Sequence, residues 1–120
     1  MGEVVGSPKR VTEILSKLSI SPERIHIHRG WFVDTFPAAT IEKIALLHID
    51  CDFYQPTALC LRRWYPHVSL GGYIQFDDYL MFQGCTKAVN EFLESHPDIR
   101  LQTFGELGRG GAFLDRKSVV

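Results

Sequence analysis

Two short apolar runs, each closing on acids, constrain this 120-residue chain more than anything else in it. The first is Ile44-Ala45-Leu46-Leu47-His48-Ile49-Asp50-Cys51-Asp52-Phe53-Tyr54, and the second is Gly71-Gly72-Tyr73-Ile74-Gln75-Phe76-Asp77-Asp78-Tyr79. An apolar run this short reads as a buried strand, with the acids marking its C-terminal end. Between the runs, from Pro56 to Val68, apolar residues fall at 58, 59, 61, 64, 65 and 68, a helical spacing. Strand, helix, strand is the βαβ unit, whose two strands run parallel. Both acidic ends then lie on one edge, where open α/β sheets bind ligands. This predicts that Asp50, Asp77 and Asp78 come together. Three carboxylates repel unless a positive charge sits among them, and a hard divalent cation such as Mg²⁺ suits oxygen ligands from two strand ends. Asp52 lies on the same side of an extended backbone as Asp50, with Cys51 opposite. Acids at strand ends also cap helices and make turns, so a purely structural role stays open for each of them alone.

The flanking segments complete an α/β pattern. Val11, Ile14, Leu15 and Leu18 predict a helix opened by Ser7-Pro8, after a loose start over residues 1–10. Ser21-Pro22-Glu23 reads as a turn. Arg24 to Phe32 alternates apolar and polar residues and predicts a strand. Val33 to Lys43 reads as a short helical or irregular crossover. Ser69-Leu70-Gly71-Gly72 ends the central helix and starts the strand Tyr73 to Phe76. Gly84 to Phe92 predicts an amphipathic helix stopped by Ser95-His96-Pro97. Ile99 to Phe104 and Gly111 to Leu114 predict two closing strands around a Gly105–Gly111 loop, with Asp115-Arg116-Lys117 as a solvated end. The order αβ(α)βαβαββ gives one α/β unit spanning residues 1–120.

Composition excludes several classes. A net charge of −1 gives no electrostatic basis for binding nucleic acid or an anionic membrane surface. No apolar run reaches the ~18 residues of a membrane span, and the N-terminus does not resemble a signal peptide. Cys51, Cys60 and Cys85 lack a CxxC spacing and read as reduced thiols, so a cytoplasmic location is expected. His26 and His28 share a predicted strand face but have no further nitrogen or sulfur ligand at zinc spacing. Cys51 has no identifiable paired base. Trp31, Phe32, Phe53 and Tyr54 suit either a substrate-binding wall or the core. Neither GxGxxG nor GxxxxGK[ST] occurs, so cofactor-binding residues stay unassigned.

Taken jointly, several motifs resemble the macrocin O-methyltransferase (TylF-type) family. They are His48-Ile49-Asp50-Cys51-Asp52-Phe53-Tyr54-x-x-Thr57, the Gly71–Tyr79 segment, Gly30-Trp31-Phe32-x-Asp34-Thr35 and Gly84 to Phe92. The resemblance covers roughly residues 24–94. It implies a Rossmann-like class I methyltransferase sheet, from which the first strands and the glycine-rich cofactor loop are absent. It further implies S-adenosylmethionine as cosubstrate, Mg²⁺ held by Asp50, Asp77 and Asp78, and Asp50 as general base toward a hydroxyl of a sugar or other small natural product. Metal-dependent catechol methyltransferases carry a lysine base a few places after the first metal aspartate; Phe53 and Tyr54 stand there in this chain. The chain alone is expected to be a fragment of such an enzyme, able to form homo-oligomers. Two alternatives are a non-catalytic α/β interaction module derived from such an enzyme and a receiver-like phosphoacceptor domain. The latter needs an acid pair, an acceptor aspartate and a later lysine in an order that this chain does not offer.

Overall fold

Helix α1 (Pro8–Ser16) starts where its sequence places a cap: Ser7 is extended and its Oγ accepts the Arg10 N–H at 3.1 Å, with proline in the first turn. The structure, a computed structural model, describes residues 6–106 and 110–116. Val11 and Ile14 on α1, and Leu18 just beyond it, remain 41–51% exposed. The predicted strand at 24–32 does not form. A 3₁₀ turn at Pro22–Arg24 is followed by unpaired chain, then by helix α2 (Phe32–Thr35) and a second 3₁₀ turn at Phe36–Ala38. Alternation supplies a strand's side-chain pattern but not its ladder partners, and no strand lies alongside among the described residues.

The βαβ unit is as its sequence predicts. Strand β1 (Ile44–Ile49), helix α3 (Tyr54–Trp64) and strand β2 (Val68–Phe76) follow one another, with β1 and β2 parallel. After helix α4 (Gln83–Glu94) come strands β3 (Gln102–Phe104) and β4 (Gly111–Asp115), antiparallel to one another. The sheet order is β1-β2-β4-β3, with β4 inserted beside β2. The closing strands are therefore a hairpin around the predicted loop, of which residues 107–109 lie outside the described set.

Two local expectations are corrected. Gly71 and Gly72 lie inside β2 rather than ending the helix: the register jumps from Ile44↔Val68 to Leu46↔Tyr73, and Gly71 takes φ 81° at this irregularity. A Cβ on Gly72 would lie 2.8 Å from Ser69 O and 3.0 Å from Ala45 O, so the close approach requires glycine. Helix α3 stops earlier, before Pro66, which has no N–H to continue it and sits in a 3₁₀ turn. Nor is Arg116 merely solvated. Its Nη1 donates to the carbonyls of Tyr65, Pro66 and Val68 at 3.0, 2.9 and 2.6 Å, and its guanidinium stacks 4.8 Å from the Tyr65 ring. Lys117 lies outside the described residues.

The core lies on one face of the sheet. Ile49, Ile74, Phe76, Ala112 and Leu114 pack against Cys60, Leu61 and Trp64 of α3 and Cys85 and Val89 of α4. Each large side chain buried here contributes about 1.5–3 kcal/mol. On the opposite face Leu46 and Tyr73, partners in register, are 58% and 50% exposed. Among the described residues no helix is long and apolar enough to cross a membrane.

Candidate functional site

The parallel ladder closes where the acids begin. Asp77 N–H donates to Ile49 O at 3.0 Å, so the two strands end level and their acidic turns emerge side by side. Past Asp50 the chain turns sharply instead of staying extended: Asp52 has φ 62°, a left-handed conformation that aspartate tolerates better than most side chains. Its N–H donates to Asp78 Oδ2 at 3.0 Å, which ties the β1 turn to the β2 turn. Asp78 is 3% exposed, and its carbonyl accepts the N–H groups of Met81 and Phe82 at 3.0 and 2.9 Å.

The outcome is a set of carboxylate oxygens from Asp50, Asp52 and Asp78, all within 4.8 Å of one another. Among the described residues, no histidine or cysteine belongs to a group of this kind. The sequence placed Asp50, Asp77 and Asp78 together. The structure brings Asp50 and Asp78 together, adds Asp52, and leaves Asp77 exposed beside them with its charge bearing on both. The DxD spacing was the signal for Asp52; only its turned backbone was not legible.

Metal-free, the cluster is electrostatically uncomfortable. Partial burial, then the charges of Asp77 and Asp78, push Asp50 above the ordinary carboxylate value of 3.8. Burial also raises Asp78, against the lowering effect of the Asp52 N–H and with the added repulsion of Asp52 and Asp77. Octahedral ligands of Mg²⁺ lie at most about 4.2 Å apart and those of Ca²⁺ about 5.2 Å, so an all-oxygen set within 4.8 Å fits a hard divalent cation after a small side-chain adjustment.

Thr57, buried at 0% exposure, pins the turn from below. Its Oγ1 donates to Phe53 O at 2.7 Å and lies 3.4 Å from Cys51 Sγ. A hydrogen bond with Cys60 lowers the Cys51 pKa, whereas the same bond and burial raise Cys60, and burial pushes Cys85 up to about 11. Cys60 and Cys85 are thus inert buried thiols, and Cys51 is half-exposed. Beside the acids runs an open groove of about 1150 Å³ lined by Trp31, Val33, Cys51, Phe53 and Tyr54, with Arg62 on its flank. The aromatic residues divide: Trp31 and Phe53 are 80% and 67% exposed, while Phe32 stacks on Phe36 at 4.7 Å and joins the core. His26 and His28 are exposed on the unpaired stretch.

Comparison with known proteins gives a consistent result. Residues 3–102 match the family Macrocin-O-methyltransferase (TylF). Demethyldecarbamoylnovobiocin O-methyltransferase of Streptomyces niveus is 38% identical over 86 residues, which is 72% of this chain and 33% of that protein. Mycinamicin III 3''-O-methyltransferase of Micromonospora griseorubida is 36% identical over 81 residues, 68% of this chain and 32% of that protein. Among solved structures, the O-methyltransferase NovP superposes with a TM-score of 0.80 at 34% identity, covering 93% of this chain and 46% of NovP. The TDP-rhamnose 3'-O-methyltransferase CalS11 superposes with a TM-score of 0.70 at 25% identity, covering 90% of this chain and 52% of CalS11. The single mixed sheet described above therefore matches part of a methyltransferase fold, and the chain spans about a third of the length of these curated relatives.

Proposed function

We infer the function from one premise: this chain belongs to the macrocin-O-methyltransferase (TylF) family. On that premise it is the acid-bearing, acceptor-side portion of an S-adenosylmethionine-dependent, Mg²⁺-assisted O-methyltransferase acting on a hydroxyl of a sugar or other small natural product. The observation that carries this reading is the Asp50–Asp52–Asp78 set at the ends of two parallel strands, opening beside an aromatic groove. Asp50 and Asp78, with Asp52 and Asp77 beside them, are the residues that would hold the cation. A divalent ion there supplies the positive charge that acidifies an acceptor hydroxyl.

Asp50 is the proposed general base. It is exposed at the mouth of the cluster, whereas Asp78 is buried and already accepts the Asp52 N–H. In the transfer the acceptor O–H breaks and its proton passes to Asp50. The oxygen lone pair forms the new bond to the methyl carbon, and the C–S pair returns to sulfur. Trp31 and Phe53 offer open aromatic faces on which an organic partner can stack.

A second reading has its own support. Leu46 and Tyr73, partners across β1 and β2, are exposed on one sheet face. This apolar pair favours a non-catalytic α/β interaction module. Titration calorimetry of S-adenosylhomocysteine into the chain, with and without Mg²⁺, separates the two. Nucleoside binding strengthened by Mg²⁺ supports the enzyme. Mg²⁺ binding alone indicates a metal-bearing portion of one. Binding of neither removes the catalytic reading.

A further inference from the structure

Helix α4 begins against the turn that carries the acids, and one glycine makes this possible. Gly84 lies in the first turn of α4. A Cβ built on it would sit 2.7 Å from Tyr54 N, 3.3 Å from Phe53 C and 3.4 Å from Phe53 Cα. The first of these is roughly 0.8 Å inside the ordinary carbon-contact separation of about 3.5 Å. All three atoms are backbone, so no side chain can swing away to relieve the overlap. Within a helix glycine costs roughly 0.5–1 kcal/mol relative to alanine. Close contact with residues 53–54 is the compensating gain.

The same helix holds the other acidic turn. Thr86 Oγ1 donates to Tyr79 O, and Tyr79 OH donates to Asn90 Oδ1 at 2.8 Å. On the α3 side, Tyr54 OH donates to Glu91 Oε2 at 2.5 Å, and Lys87 lies 4.9 Å from the Tyr54 ring. Residues of α4 thus touch both turns, at the first and second residues beyond Asp52 and at the first beyond Asp78.

We propose that Gly84 is a positioning residue: by admitting α4 onto the Phe53–Tyr54 backbone, it sets the separation of Asp52 from Asp78 and so the affinity of the acidic set for a divalent cation. The proposal rests on the metal-binding reading above. A cation that demands near-ideal ligand geometry is sensitive to a displacement of this size in one turn. Groups that only orient metal ligands typically change affinity by about 10–100-fold when altered.

The test is Mn²⁺ titration of the whole chain by calorimetry, with the thermal midpoint recorded for each variant. Gly84→Ala is expected to weaken Mn²⁺ about tenfold or more. Ala88→Gly, one turn further along the same buried face of α4, is the control: it lowers the midpoint through helix propensity and lost packing and leaves Mn²⁺ affinity unchanged. If both variants lose affinity in proportion to lost stability, the role of Gly84 is structural only and the proposal fails. If G84A does not fold, Glu91→Gln is read instead, since it weakens the same α4–Tyr54 junction without adding atoms. Lower Mn²⁺ affinity at an unchanged midpoint supports the proposal, and unchanged affinity overturns it. Equal Mn²⁺ binding by wild type and G84A defeats the proposal alone. No Mn²⁺ binding by wild type defeats the metal-binding reading and the proposal with it.

Discussion

Replacing Asp78 with asparagine should stabilise the metal-free chain while abolishing its response to Mg²⁺. Asp78 is almost fully buried and has carboxylate oxygens of Asp50 and Asp52 within 4.8 Å. Two like charges at that distance repel by about 1 kcal/mol in water-like surroundings and about 3.5 kcal/mol at an effective dielectric of 20. Asp50 is exposed, so the lower figure applies to it after solvent screening. Asparagine keeps the shape and a carbonyl oxygen for the Asp52 N–H, but loses about 1 kcal/mol because the acceptor is no longer charged. This loss and the Asp50 repulsion cancel, which leaves as the net gain the repulsion of half-buried Asp52, about 1–3 kcal/mol, a rise of several degrees in the thermal midpoint. The assay is thermal unfolding followed by circular dichroism at neutral pH and low ionic strength, first with a chelator and then with excess MgCl₂. Wild type should gain stability with Mg²⁺ by mass action, and D78N should not. A D78N chain less stable than wild type in chelator would refute the electrostatic ledger. An equal Mg²⁺ response in both would place any bound cation elsewhere.

Three further outcomes are expected. Burial and mutual repulsion raise Asp50 and Asp78 above 3.8 in the folded chain, so folding takes up protons at these two groups and their contribution to the stability of the metal-free protein is greatest below 3.8. That stability is lost as pH rises through 3.8 and past the raised folded values, and the Mg²⁺-induced rise in midpoint should grow over the same window; midpoints measured along a pH series check both signs. A thiol reagent at mildly alkaline pH should label Cys51 alone in the native chain, since Cys60 and Cys85 are buried and held protonated; denaturant should expose all three, and mass spectrometry of labelled peptides counts them. Arg116→Ala strips the charged donor from three carbonyls, which should cost about 2 kcal/mol in denaturant unfolding with no change in divalent-metal binding.

Much of this molecule is determined locally, and those parts are legible in the sequence. Ser7-Pro8 opens α1, the spacing from Ala58 to Trp64 makes α3 amphipathic, and the run Ile44–Ile49 is a strand because its side chains demand burial on a pleated surface. Parallel β1 and β2 follow from the helix between them, which puts Asp50, Asp77 and Asp78 on one edge of the sheet. Other features depend on what meets what across the fold. Residues 24–32 alternate like a strand, but a strand exists only with a ladder partner, and none lies beside them among the described residues. β4 slips between β2 and β3 because antiparallel pairing is chosen by non-local contacts. Gly71-Gly72 look like a helix stop in sequence and become a strand irregularity once Pro66 has ended the helix first. The site shows the same division. Its acids are written in the chain, but the left-handed turn at Asp52 is tied by its N–H to Asp78, 26 residues away, and the lack of room for a side chain at Gly84 arises where α4 meets the Phe53–Tyr54 backbone. Periodicity and capping act within a few residues, whereas a hydrogen bond spanning 26 residues or a backbone contact between two helices exists only after the chain has closed on itself.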